Sequence, residues 1–175
     1  MKAIPTTYNG VRFRSRLEAK WAAFFDLAGW RWEYEPLDLD GYVPDFILQM
    51  RRPILVEVKP FMWDFVNEDE QNLIGHARVK IDLSGWDGEA WIVGATTTKR
   101  GDADWLCGQY REDGAWGNAG LYACGECGHK TPFHHDMSWR CRQCGADDHA
   151  SHRIQNWDVT ADLRAAANAV QWRAA

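Results

Sequence analysis

The chain has no apolar run approaching the ~20 residues that a membrane span needs. Its first residues, Met1-Lys2-Ala3-Ile4-Pro5, carry no apolar stretch of the secretory kind, so a soluble cytoplasmic protein is expected. It has no excess of positive charge either. Twenty Lys and Arg stand against 25 Asp and Glu, leaving −5, which argues against a histone-like coat, so any contact with a polyanion must use a local basic patch. A disulfide framework is also missing. The cysteines number five, an odd count, and four of them stand as Cys124-Gly-Glu-Cys127 and Cys141-Arg-Gln-Cys144, which is metal spacing. No internal repeat or low-complexity tract is present. What remains is 175 residues, 46% hydrophobic and 26% charged, enough for one ordinary domain with a small appendage.

Aromatic surface is abundant, with 11 Trp, so indoles either fill a core or stack on a ligand. Asn9-Gly10 predicts a type I′ hairpin between Ile4–Tyr8 and Val11–Arg14. Ser15 with Glu18 three residues on forms a capping box, and Leu17, Trp21, Phe24 and Ala28 recur along one helical stripe that Gly29 ends. Trp30, Trp32 and Tyr34 alternate with charged residues as a strand that Pro36 stops. Residues 42–49 and 54–59 read as a second hairpin, 67–83 as a helix capped by Asn67, and 89–98 as a strand followed by a turn at 99–102. The glycine-rich stretch 108–120 reads as a connector, and the Ala-rich stretch 160–173 as a closing helix. A mixed α/β fold follows: a core over 1–107, a connector and zinc ribbon over 108–155, and a C-terminal helix over 156–175 packing on the core.

In the strand Ile54-Leu-Val-Glu57-Val-Lys59, alternation puts Ile54, Val56 and Val58 on one face and Leu55, Glu57 and Lys59 on the other. A three-residue loop at 50–52 then sets Asp45 opposite Glu57 in an antiparallel pair. Two carboxylates so close repel unless a cation lies between them, and hard oxygen ligands suit Mg²⁺ or Mn²⁺. Such an ion beside an ammonium is equipment for phosphodiester hydrolysis.

Asp45, then Glu57-Val58-Lys59 on the following strand, with Glu18 on a preceding helix, resembles the PD-(D/E)XK nuclease superfamily. The stretches Tyr8–Trp21, Tyr34-Glu-Pro36, Pro44-Asp-Phe46 and Val56–Pro60 look like its small phage and bacterial members. The resemblance covers residues 8–100 or so and implies an α-β-β-β-α-β core of the restriction-endonuclease kind. It also implies metal ligation by Asp45, Glu57 and the backbone carbonyl of Val58. Lys59 would position the attacking water, and Glu18 would hold a metal-bound water or a second ion. The capping box alone would also account for Glu18.

The two cysteine pairs, thirteen residues apart and each followed by Gly, suit two knuckles on one structural Zn²⁺ held by Cys124, Cys127, Cys141 and Cys144. His129, His134, His135 and His149 lie nearby as surface groups or phosphate contacts, and Cys107 is left over as a small buried residue. Four thiolates and one Zn²⁺ carry −2 and take the chain to about −7, so attraction for DNA must come from elsewhere. Arg12, Arg14, Arg16 and Lys20, beside Glu18, are the candidate phosphate clamp, with Arg51, Arg52, Lys99, Arg100, Arg140 and Arg142 as secondary contacts. Trp21, Trp32 and Trp91 are assigned to the core, while Trp63, Trp116 and Trp139 are candidates for base stacking. The expected function is a Mg²⁺- or Mn²⁺-dependent DNA endonuclease selective for branched, flap or single-stranded DNA. The alternatives are a non-catalytic zinc-ribbon DNA-binding or assembly protein, and a sequence-reading restriction or repair nuclease. A homodimer remains open.

Overall fold

Asn9 and Gly10 adopt positive φ, 47° and 79°, the type I′ geometry whose twist matches that of paired strands. They join β1 (Thr6–Tyr8) to β2 (Val11–Phe13). The computed structural model describes residues 3–62, 68–95, 98–100, 104–134, 140–147, 165–170 and 173–174. Helix α1 (Arg16–Ala28) follows, capped by the Ser15 side chain, which accepts from the Glu18 N–H, and closed by Gly29 at φ 76°. Its apolar stripe, Ala19, Trp21, Ala22, Phe24 and Phe25, is buried.

The large sheet has eight strands. Strands β3 (Trp32–Tyr34), β4 (Phe46–Leu48) and β5 (Ile54–Val58) pair antiparallel, and α2 (Glu68–Leu83) carries the chain across to β6 (Glu89–Val93), which lies parallel to β5. Residues 16–93 thus run α-β-β-β-α-β. β5 alternates as its sequence demands: Ile54, Val56 and Val58 pack with α1, while Leu55 packs with Ile74, Ala77 and Ile81 of α2. The sheet lies between the two helices. Trp91, fully buried, packs edge-on to Trp21 and Trp30. Asn67, the expected cap of α2, lies outside the described residues.

Three expectations change. The stretch read as a connector is sheet: β8 (Asp104–Glu112) and β9 (Ala115–Ala123) are nine-residue strands that join β6 to β10 (Lys130–His134), and β7 (Thr98–Arg100) pairs with β8. The core therefore does not end at 107; the main sheet runs unbroken into the zinc segment. Three glycines of the 108–120 stretch are there for room, not flexibility. A Cβ at Gly117 would strike the His134 ring, one at Gly120 the Phe133 ring, and one at Gly108, in a bulge at φ 124°, the Ile92 carbonyl. The chain end is the third change. Residues 165–169 are helical and Ala167 is buried in the core, but Arg173, expected in that helix, begins β11 (Arg173–Ala174), which pairs with β1. No described helix is long and apolar enough to cross a membrane.

Candidate functional sites

The β4–β5 ladder pairs Phe46 with Val56 and Leu48 with Ile54, and the same register carried one step outward sets Asp45 opposite Glu57. Both side chains are about 95% buried, at 5% and 7% exposure. Asp45 Oδ2 accepts from the Val58 N–H at 2.7 Å, and Oδ1 accepts from the Arg14 guanidinium at 2.6 Å. Glu57 Oε1 meets the Lys59 ammonium, and Oε2 accepts from the Tyr42 hydroxyl at 2.8 Å. Lys59 is therefore on the Glu57 side of its strand, as alternation requires.

Glu18 reaches this region from α1. Its Oε1 accepts from the Ser15 hydroxyl at 2.7 Å, and its Oε2 from the Tyr34 hydroxyl at 2.5 Å and the Arg14 N–H at 3.1 Å. Both the cap and the acid cluster therefore use Glu18. Burial, then the charge of Glu57, pushes the Asp45 carboxyl up to about 7; the Val58 N–H and Lys59 pull against this, and Glu18 adds to it. Burial and the neighbouring Glu57 also push the Tyr42 phenol far above its ordinary value, so it is a hydrogen-bond donor at all working pH.

Arg14 is not a free phosphate clamp in this state. Its Nε pairs with Glu35 at 2.8 Å while its terminal nitrogen holds Asp45. Arg12 and Arg16 are exposed and Lys20 half-buried, and none of the three forms an ion pair among the described residues. Sequence reasoning missed Tyr34, Glu35 and Tyr42 as partners of the acids. Tyr34 and Glu35 stood in one of the stretches that carry the resemblance, and Tyr34 on an aromatic strand face, but neither was given a role toward the acids.

The four cysteines form the second site. Their sulfurs lie within 4.8 Å of one another, and Cys124–Cys144 and Cys127–Cys141 are each 3.6 Å apart. A tetrahedron with Zn–S near 2.3 Å has edges of roughly 3.8 Å, and a disulfide would need about 2.05 Å, so the set fits one Zn²⁺. Both knuckles have the same backbone: Gly128 N–H to Cys124 O at 2.8 Å and Gly145 N–H to Cys141 O at 3.0 Å, with both glycines at positive φ. Burial raises the Cys124 thiol and pushes that of Cys127 up to about 12, while the N–H of Ala146 brings the Cys144 thiol down to about 7. The carboxylates are not gathered so tightly. Among the described residues, the cysteines are the cluster of three or more metal-ligating side chains brought within that distance.

The cysteine knuckles attach at the end of the sheet remote from the acids. Arg142, inside the second knuckle and 5% exposed, pairs with Glu89 at 2.9 Å and with Glu112 at 2.9 Å. Glu89 lies beside Ile54 at the start of β5, whereas Glu57 lies near its end, roughly 10 Å along the strand. Arg142, a candidate phosphate contact by sequence, is therefore committed to the core. The first knuckle, Cys127–Lys130, lines a cleft of about 490 Å³ with Arg31 and Met50 at that same end.

His134 is buried under Gly117 instead of lying on the surface. Trp116 is also engaged, with Arg78 and Arg111 over its ring and its indole N–H on Asp82, so it is not a free stacking platform. Cys107 is buried, and burial holds its thiol above the ordinary range. Trp63, Trp139, His135 and His149 lie outside the described residues, as do the side chains of Lys99 and Arg100. No family model, curated protein or solved structure matches this chain.

Proposed function

We propose that this chain is a divalent-metal-dependent deoxyribonuclease on a PD-(D/E)XK-like core, stapled by a structural zinc. The observation that carries the reading is the buried pair Asp45 and Glu57, opposed on neighbouring strands, with the Lys59 ammonium on one of them. Two buried like charges are costly unless a cation offsets them. Asp45 shows that cost in a carboxyl raised to about 7, the kind of perturbation that concentrates at working sites. The order α-β-β-β-α-β over residues 16–93 supports the same reading.

In this scheme Asp45, Glu57 and the Val58 carbonyl hold Mg²⁺ or Mn²⁺, and Glu18 holds a water or second ion from α1. A bound ion would polarise a phosphodiester oxygen and lower the pKa of a water. Lys59, on Glu57 and a quarter exposed, would orient the attacking water and offset the charge developing on phosphorus. Tyr42 and Tyr34 hold the Glu57 and Glu18 carboxylates in place. Arg12, Arg16 and Lys20 guide the backbone toward the acids, and a short basic stretch on a chain of charge −5 favours structured or single-stranded DNA over indiscriminate degradation.

The test is incubation of zinc-loaded protein with labelled branched, flap, duplex and single-stranded DNA in Mg²⁺ or Mn²⁺. Cleavage that disappears in Asp45→Ala and Lys59→Ala, with DNA binding retained, is the expected result. A second reading, a DNA-binding or assembly protein that hydrolyses nothing, draws on the fact that every acid here already has a partner. Binding on all substrates without metal-dependent cleavage would establish it instead.

A further inference from the structure

Arg14 joins the acids at three points. Its N–H donates to Glu18, its Nε to Glu35, and its terminal nitrogen to Asp45. The partners differ in their freedom, since the Asp45 side chain is 5% exposed and the Arg14 side chain 59%. The carboxylate is fixed in the sheet, further held by the Val58 N–H, whereas the guanidinium reaches in from solvent at the end of β2. An oxygen that Arg14 occupies cannot also ligate an ion, and a cation beside Asp45 repels another cation. A guanidinium that lets go of Asp45 keeps Glu35 as its partner at 2.8 Å, and Arg12 and Arg16, two residues away on either side in the chain, are exposed, so the stretch offers cations to a phosphate.

Resting on the nuclease reading, we propose that Arg14 is the resident counter-cation of the acid cluster: it competes with the divalent ion for Asp45 and, once displaced, transfers to a DNA phosphate. The divalent ion brings one positive charge more than the guanidinium it replaces, so the three acids are better offset once Arg14 has left. Metal binding and phosphate binding then reinforce one another through a single side chain, a reciprocal coupling. Arg14 is thus a positioning residue toward the ion and a contact residue toward the substrate.

The test titrates zinc-loaded wild type, Arg14→Gln, Arg14→Lys and Asp45→Asn with Mn²⁺, followed by electron paramagnetic resonance at fixed pH. A short flap or single-stranded DNA is then titrated with and without Ca²⁺. Without DNA, Arg14→Gln should bind Mn²⁺ roughly fivefold more tightly than wild type, the scale of a half-exposed ion pair, while Arg14→Lys stays near wild type and Asp45→Asn loses binding. Ca²⁺ should strengthen DNA binding in wild type and much less in Arg14→Gln, and the Arg14 Nε–Hε NMR signal should move when Ca²⁺ is added. If Asp45→Asn loses Mn²⁺ but Arg14→Gln binds it as wild type does, Arg14 is no competitor and the nuclease reading stands. Equal weakening in both Arg14 variants would make the residue merely structural and overturn the proposal. If wild type binds no Mn²⁺, the nuclease reading and the proposal fall together.

Discussion

Arg142→Ala removes the one guanidinium that, among the described residues, enters the sheet from the cysteine knuckles. Burial opposes the Arg142 charge, and Tyr110, Glu89 and Glu112 together hold it. Its Nε lies 2.9 Å from Glu89 Oε2, which also accepts from the Tyr110 hydroxyl at 2.6 Å, and its NH1 donates to the Arg140 carbonyl at 2.9 Å. Glu89 Oε1 is buried with no hydrogen-bond partner among the described residues, so without Arg142 the carboxylate keeps Tyr110 alone. Breaking a pair buried to this depth costs about 3–5 kcal/mol, which for a chain of this size is a fall in Tm of roughly 10 °C. Adding Glu89→Gln removes the stranded charge, so the double variant should recover a sizeable part of the loss. Differential scanning calorimetry of the four proteins reads the cycle, and zinc release to a chromophoric chelator should quicken in Arg142→Ala. A shift under ~2 °C, or a double variant no better than Arg142→Ala, would refute the claim that this pair locks the knuckles to the sheet.

Removing zinc with a strong chelator, or making Cys141→Ser, should unfold the knuckles and loosen β9 and β10, read as lost amide protection there, because a segment of this size has little apolar core of its own. Asp45, raised to about 7 in the folded state, contributes stability present below its unfolded value and lost as pH rises through about 7. Zinc-loaded protein without Mg²⁺ should therefore lose stability from about pH 4 to 7, a slope that Asp45→Asn flattens in urea titrations. Gly108→Ala would place a methyl on the Ile92 carbonyl at φ 124° and should cost more than ~2 kcal/mol by chemical denaturation.

The legible parts of this chain were those where one local rule acts without competition. Ser15, Glu18 and Gly29 set both ends of α1, and alternation with a short loop set the register that opposes Asp45 to Glu57. Residues 108–120 misled because glycines there answer to distant neighbours. Gly117 and Gly120 yield space to His134 and Phe133 of β10, and no local period records that need. Asp113-Gly114, at φ 47° and 80°, carries the same hairpin signal as Asn9-Gly10 and could have revealed β8 and β9. Arg142 was illegible for another reason. Its burial depends on Glu89 lying 53 residues earlier, and an arginine in a knuckle looks the same in sequence whether it faces solvent or a sheet.

Glu89 and Asp45 present the same problem at opposite ends of the sheet, and the chain answers it in two ways. Each is a carboxylate at the edge of a buried strand, and each is met by a guanidinium. Arg142 is 5% exposed, hydrogen-bonded to Glu89 and the Arg140 carbonyl and within ion-pair distance of Glu112, so it leaves Glu89 only if the knuckles open. Arg14 is 59% exposed and held by contacts that water or an ion can replace. Ion-pair distance does not separate the two, at 2.9 Å and 2.6 Å; burial of the cation does, since leaving for water is cheap only for a group already half in it. The Glu89 pair therefore belongs to stability, and on the proposed nuclease reading the Asp45 pair belongs to exchange.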